Sequence, residues 1–89
     1  MKKLAVLVSG GGSNLQSIID STKNGILKDI AEVVIVISNN PSAYGLERAK
    51  KEGIKSVALD YKNMDKQDYD DKMYNFIKES GADIICLAG

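Results

Sequence analysis

Residues 6–16 read VLVSGGGSNLQ, an apolar run followed by three glycines and then by a helical pattern. A continuous apolar run is typical of a strand buried on both faces of a sheet. Glycine lets the backbone turn sharply and approach a ligand closely. Ser13 and Gln16 have the spacing of a capping box, which predicts that a helix starts at Ser13. Because a helix start offers unpaired N–H groups and a positive dipole end, this loop is typical of a phosphate site.

The composition indicates one small cytoplasmic domain. The chain has 89 residues, with twelve basic and twelve acidic side chains and no net charge. It has no basic stripe, so we expect no nucleic-acid partner, and no segment approaches the roughly 20 apolar residues of a membrane span. The single cysteine, Cys86, fits a reducing cytoplasm. The chain has no histidine, the commonest general base and metal ligand, and we expect no metal site.

Four apolar runs alternate with three helical patterns. The predicted strands are Leu4–Val8, Val33–Ile37, Ser56–Leu59 and Ile84–Ala88. The predicted helices run from Ser13 to about Gly25, from Ala43 to Glu52 and from Lys66 to Ser80, with Gly53 and Gly81 as stop signals. This alternation predicts an α/β fold with a doubly wound, Rossmann-like parallel sheet in the order 3-2-1-4.

The handedness of the crossovers predicts how the layers are arranged. Right-handed connections place the first two helices on one face of the sheet and the third on the other. The last strand then lies at an edge, although its apolar composition suits a sheet interior. We therefore expect another part of a larger domain, or another chain, to cover this strand, with self-association through it as one consequence.

The glycine loop departs from two common nucleotide-binding fingerprints. The dinucleotide fingerprint G-x-G-x-x-G needs a glycine where the chain has Leu15, and an acidic residue where it has Ser38–Asn40. A P-loop needs a lysine after the glycines, which is missing. A purely structural strand-to-helix turn stays open. An anion would be bound by backbone N–H, hydroxyl and amide donors. The predicted anion-binding residues are Gly11, Gly12, Ser13 and Asn14.

Two other polar segments are expected to have mainly structural roles. Ser38 and Asn39 follow the second strand, so they are expected at the same carboxyl edge as the glycine loop, in a supporting role. Asp65 is predicted to cap the third helix. The acidic pair Asp70 and Asp71 is not expected to bind a metal, because adjacent helical residues face different directions.

The loop and two later segments together resemble the phosphoribosylglycinamide formyltransferase family of purine biosynthesis. The segments that carry the resemblance are Val8–Gln16, Ile37–Asn39 and Ala43–Ala49, and the resemblance covers all 89 residues. It implies that the glycine loop binds the 5′-phosphate of the small-molecule substrate glycinamide ribonucleotide. It also implies that Lys66, where the family commonly has Arg, lies on the folate side of the site.

The same resemblance implies the reaction of the complete enzyme, in which a formyl group passes from 10-formyltetrahydrofolate to the amine of the ribonucleotide. The family's catalytic Asn, His and Asp follow the position of Gly89, so we expect no catalytic residue in this chain and no activity from it alone. Residues 1–89 are interpreted as the N-terminal phosphate-binding part of a formyltransferase domain, truncated after the fourth strand. Two alternatives stay open: a nucleotide- or dinucleotide-binding Rossmann module without formyl transfer, and a phosphate-binding half-domain that assembles with another subunit.

Overall fold

A four-stranded sheet forms the centre of the chain, which a computed structural model describes over residues 1–89. Its strands are β1 (Lys2–Val8), β2 (Ala31–Ser38), β3 (Ser56–Ala58) and β4 (Ile84–Leu87). The strand order is β3-β2-β1-β4, and every neighbouring pair is parallel. The predicted α/β class, the doubly wound parallel sheet and the order 3-2-1-4 are confirmed.

Three α-helices connect the strands. They are α1 (Ser13–Lys23), α2 (Tyr44–Lys51) and α3 (Lys66–Ser80), and a short 3-10 helix at Tyr61–Asn63, which the sequence did not indicate, precedes α3. The predicted stop signals Gly53 and Gly81 have φ angles of +72° and +75°, the left-handed conformation that favours glycine. No helix is both long and apolar enough to cross a membrane, and no three potential metal-ligating side chains lie close enough together to hold an ion.

The two faces of the sheet carry separate hydrophobic cores, as the handedness of the crossovers predicts. On one face, Leu15 and Ile19 of α1 and Leu46 of α2 pack against alternate residues of β1 and against Ala31 and Val36 of β2. On the other face, α3 supplies an apolar stripe that covers the second core. The residues of that stripe are Tyr69, Met73, Phe76 and Ile77. Because burial on both faces removes most apolar strand surface from water, β1 and β2 are fixed firmly and hold the loops at their carboxyl ends in place.

α1 begins at Ser13 as predicted, but the cap that precedes it differs from the prediction. Gly12, and not Ser13, occupies the N-cap position, with a φ angle of +79°, and no side chain caps this helix end. Ser13 is the first helical residue, and a helical backbone at that position does not direct its hydroxyl group back to the N–H groups of the first turn. The capping-box prediction is therefore wrong. Asp65 does precede α3, but its carboxylate makes no capping hydrogen bond either.

β4 is an edge strand with an exposed apolar surface. It pairs with β1 alone. Its side chains Ile84, Ile85 and Leu87 are 44%, 53% and 82% exposed. These are large exposed fractions for aliphatic side chains, and the edge position predicted for this strand is confirmed.

Candidate functional site

The glycine loop lies at the carboxyl edge of the sheet, between the end of β1 and the start of α1. Ser9 ties the loop to the end of β4, because its backbone N–H donates to the carbonyl oxygen of Gly89 at 2.9 Å and its hydroxyl group donates to the same oxygen. Ligands of open α/β sheets bind at this edge, beside the point where the strand order reverses. β1, with β2 on one side and β4 on the other, is that point.

The loop presents a row of hydrogen-bond donors that no protein group uses. After Ser9, the next backbone N–H group with an acceptor is that of Gln16, which donates to the Gly12 carbonyl at 2.9 Å. The backbone N–H groups from Gly11 to Leu15 have no acceptor within the chain. Gly11, Ser13 and Asn14 are exposed, whereas Gly12 and Leu15 are buried. The side-chain donors of Ser13 and Asn14 are exposed and unpaired as well. Donors at a helix start with this pattern favour an anion.

The three glycines of the loop have different surroundings. A Cβ atom on Gly12 would lie 2.7 Å from the Cα atom of Gly45, so the two backbones are in direct contact there. Cβ atoms on Gly10 or Gly11 would meet nothing within 4 Å. The turn itself therefore requires glycine only at position 12, and the other two glycines leave open space beside the unpaired N–H groups.

Residues of α2 bind the carbonyl groups of the glycine loop. The sequence patterns assigned no role to these residues. The backbone N–H of Gly45 donates to the Gly10 carbonyl at 3.1 Å. Arg48 donates from Nε to the Gly11 carbonyl at 2.8 Å and from Nη1 to Oε1 of Gln16 at 3.4 Å. Gly45 and Arg48 are three residues apart, hence on one face of α2. That spacing is the one sequence signal for this contact.

α1 and α2 are also joined at the far end of this contact. Glu52 accepts hydrogen bonds from Lys23 at 2.7 Å and from Gln16 at 3.3 Å. The bond from Lys23, followed by that from Gln16, lowers the pKa of Glu52 below its usual value. Gln16 thus contacts both Glu52 and Arg48, which links the ion pair to the loop.

Ser38 and Asn39 lie at the predicted edge but have different surroundings. The Ser38 side chain is fully buried, and its hydroxyl group both accepts from and donates to the backbone of Asn40 at 3.0 Å. The hydrogen bonds of the Ser38 hydroxyl group are therefore made within the turn that follows β2. Asn39 instead faces a cleft beside Ser9.

That cleft has a volume of about 290 Å³ and lies between the strand ends and α3. Most of its lining is apolar. The lining residues are Leu7, Val8, Ser9, Ile37, Asn39, Tyr69, Met73, Leu87 and Gly89. Burial raises the pKa of Tyr69, so its phenol is neutral near pH 7. The cleft suits an uncharged group next to the loop, whereas Gly11 to Asn14 lie outside its lining.

Lys66 stands at the start of α3 and makes no hydrogen bond to the glycine loop. Its Nζ atom lies 3.0 Å from Oδ2 of Asp70, one helical turn further on, and its side chain is 78% exposed. The bond to Asp70 raises the pKa of Lys66, which therefore stays charged. The folate-side role of Lys66 stays a prediction.

The sequence matches the family model described as formyl transferase over residues 2–89. The chain belongs to the formyl transferase family. The phosphoribosylglycinamide formyltransferase of Haemophilus influenzae is 42% identical over 90 residues, which cover 100% of this chain and 42% of that protein. The trifunctional purine biosynthetic protein adenosine-3 of Drosophila melanogaster is 44% identical over 89 residues, or 99% of this chain and 7% of that protein.

Solved structures give the same result for the fold. The crystal structure of phosphoribosylglycinamide formyltransferase from Bacillus halodurans has a TM-score of 0.89 at 37% identity, covering 99% of this chain and 45% of that one. The corresponding enzyme structure from Campylobacter jejuni has a TM-score of 0.87 at 39% identity, covering 99% of this chain and 47% of that one. The resemblance to phosphoribosylglycinamide formyltransferases is confirmed. The chain spans less than half the length of the relatives that it matches.

Proposed function

We propose that this chain binds the 5′-phosphate of glycinamide ribonucleotide through the loop that ends β1. The binding groups are the backbone N–H groups of Gly11 and Gly12, together with the hydroxyl group of Ser13 and the amide of Asn14. The observation that carries the proposal is the row of donors from Gly11 to Leu15 that find no acceptor in the chain. The absence of a Ser13 cap strengthens it, because that hydroxyl group stays available as a donor.

The proposal extends to the reaction of the complete enzyme in purine biosynthesis. The ribonucleotide amine attacks the formyl carbon of 10-formyltetrahydrofolate, and the bond between that carbon and N10 of the folate then breaks. The formyl group stays on the ribonucleotide nitrogen, which loses a proton, and tetrahydrofolate leaves after N10 has gained one. The chain has no histidine, and the acidic side chains next to the glycine loop, Asp20 and Glu52, accept hydrogen bonds from Gln16 and not from the loop. We therefore propose that residues 1–89 supply phosphate binding and no catalytic residue, and that the chain alone does not turn over substrate. On this proposal Lys66 offers a positive charge to the folate substrate, and the enzyme works in the cytoplasm.

A dinucleotide-binding module is the alternative, and one observation counts against it. The third glycine of the dinucleotide fingerprint permits close packing of helix and strand. Here the corresponding residue is Leu15, whose side chain is fully buried in the core under α1. This helix therefore packs on the sheet through a leucine side chain where the fingerprint has glycine.

A titration followed by NMR tests the proposal. Inorganic phosphate and glycinamide ribonucleotide are expected to shift the backbone amide signals of Gly11 to Asn14, and the shifts are expected to saturate as the ligand concentration rises. The reason is that these amides have no hydrogen-bond acceptor in the free chain. Glycine amides at Gly53 and Gly81, which lie at other helix ends, serve as the internal control. Shifts at the loop with NAD but not with the ribonucleotide would favour the dinucleotide module instead.

We also propose that β4 mediates self-association when nothing else covers it. Its unpaired outer edge and its exposed aliphatic side chains support this, because such an edge is a template for pairing with a second strand. A lysine on an edge strand opposes such pairing through its charge.

Sedimentation velocity tests the association. The wild-type chain is expected to form larger species as its concentration rises, and Leu87→Lys is expected to stay monomeric. Tyr74→Lys is the matched control, since Tyr74 is 63% exposed on α3, away from β4. A wild-type chain that stays monomeric over a wide concentration range would contradict the proposal.

A further inference from the structure

Arg48 reaches the glycine loop from α2 and is held there on several sides. Its Nε atom lies 2.8 Å from the Gly11 carbonyl oxygen, and its Nη1 atom lies 3.4 Å from Oε1 of Gln16. Its guanidinium carbon lies 5.1 Å from the centre of the Tyr44 ring, a cation–π distance. These partners on three sides fix the orientation of the guanidinium group, so Arg48 does not move freely as an isolated surface charge would.

The bond from Arg48 determines which way an amide of the loop points. A trans peptide group is planar, so the carbonyl of one residue and the N–H of the next point in opposite directions. The chain contains no cis peptide bond. Because the Gly11 carbonyl is turned toward Arg48, the N–H of Gly12 points away from α2. By the same geometry, the Gly10 carbonyl, bound to the N–H of Gly45 at 3.1 Å, turns the N–H of Gly11 away from α2.

The loop needs such a restraint because its own residues supply little. Gly10 and Gly11 have no side chains and no neighbours at their Cβ positions, so their backbones have wide conformational freedom. Ordering a flexible glycine segment when the ligand arrives costs free energy that would otherwise appear as affinity. A contact that fixes the peptide planes beforehand removes that cost.

We infer that Arg48 is a positioning residue that orients the N–H group of Gly12 toward the phosphate by binding the Gly11 carbonyl on the opposite side of the same peptide plane. It does not itself bind the anion. This inference rests on the proposed function, because that function makes phosphate the ligand of the loop. The orientation of the loop itself can be measured in the free chain, without any ligand. Arg48 thus acts through the geometry of its hydrogen bond, and a positive charge at this position without that bond does not orient the loop.

Two substitutions separate geometry from charge. Arg48→Lys keeps the positive charge but has a methylene group where arginine has Nε, so the bond to Gly11 is lost. Arg48→Met removes both the charge and the bond while it keeps an unbranched stem. Lys50→Met is the matched control, because Lys50 lies two residues along α2 and pairs only with Glu47, at 3.6 Å.

The readouts are the ¹⁵N order parameters of Gly11 and Gly12 in the free chain and the dissociation constant for inorganic phosphate. In both Arg48 variants we expect the order parameter of Gly12 to fall from about 0.85 to below about 0.6. That of Gly11 is expected to change less, because its N–H shares a peptide plane with the Gly10 carbonyl, which Gly45 still holds. We expect the phosphate dissociation constant to rise about tenfold, as for one lost hydrogen bond to a charged group. Lys50→Met is expected to leave the order parameters unchanged. A purely structural role would lower the melting temperature without loosening the Gly12 amide selectively.

Wild-type order and affinity in Arg48→Lys would overturn the inference and assign the effect to charge. An unchanged order parameter of Gly12 in Arg48→Met would overturn it too, whatever the affinity. If Arg48→Met does not fold, Arg48→Lys alone gives the decision, because it preserves charge and most of the side-chain volume. A wild-type chain that binds no phosphate refutes the proposed function, while the order parameters still decide the role of Arg48.

Discussion

Replacing Gly12 with alanine is expected to lower the free energy of unfolding by about 3 kcal/mol. Two physical causes add up. The residue has a φ angle of +79°, where a Cβ atom is unfavourable, and that atom would lie 2.7 Å from the Cα atom of Gly45. Backbone cannot move aside as a flexible side chain can, so the contact between the loop and α2 must open. Urea denaturation followed by circular dichroism measures the change.

Two further glycines make matched controls for Gly12→Ala. Gly53 shares the positive φ angle, at +72°, but has no neighbour within 4 Å of a Cβ atom, so Gly53→Ala isolates the conformational cost of about 1 kcal/mol. Gly10 has neither a positive φ angle nor a neighbour, so Gly10→Ala is expected to change stability by less than about 0.5 kcal/mol. Equal effects at positions 12 and 53 would show that the close approach of Gly12 and Gly45 costs nothing to open.

Replacing Ser13 with aspartate is expected to weaken phosphate binding about 100-fold, or about 2.8 kcal/mol at 1.4 kcal/mol for each factor of ten. The new carboxylate would face the phosphate across the proposed site, and two like charges about 4 Å apart near a protein surface repel by about 4 kcal/mol before salt screening. The same substitution is expected to preserve or slightly raise stability, since an acidic residue in the first turn favours the dipole of α1. Phosphate titration and thermal unfolding of one sample measure both effects.

The opposite signs of these two effects separate a binding role from a structural one. Ser17→Asp is the control, because Ser17 lies one turn further along α1 and is exposed to solvent. It introduces the same charge about 6 Å further along the helix axis, where water screens it, and is expected to weaken binding only slightly. Phosphate affinity that is unchanged in Ser13→Asp would move the anion site away from the start of α1.

Most of the fold was predictable from local patterns. The apolar runs placed all four strands, and the bounds of α3 from Lys66 to Ser80 agree with the structure. β1 and β2 extend further toward their amino ends than predicted, because polar residues such as Lys2, Lys3 and Glu32 take part in the pairing of these strands. Strand pairing uses backbone groups and tolerates polar side chains at strand ends. A hydrophobic pattern therefore does not predict where such a strand begins.

The candidate site was predictable only in part. The loop and its position at the carboxyl edge follow from a glycine-rich turn between an apolar strand and a helix. The N-cap at Gly12 does not, because it depends on the φ angle of Gly12, and that angle reflects contact with Gly45, which lies 33 residues away in sequence. Arg48 lies in the family-like segment Ala43–Ala49, but no sequence pattern gives it a role, since its function depends on the carbonyl that it contacts.

The order of apolar runs, helix signals and glycines was enough to predict the α/β class and the loop most suited to an anion, and the predicted strand order is the usual one for such a sheet. These features depend on periodicity, on handedness and on the unpaired donors of any helix start, all of which act along a short stretch of chain. The tertiary structure was needed to establish how the loop is held. α2 binds the Gly10 and Gly11 carbonyls from one side, and planar peptide groups then direct the following N–H groups to the other. That arrangement depends on two segments far apart in sequence meeting in space, so no local pattern contains it.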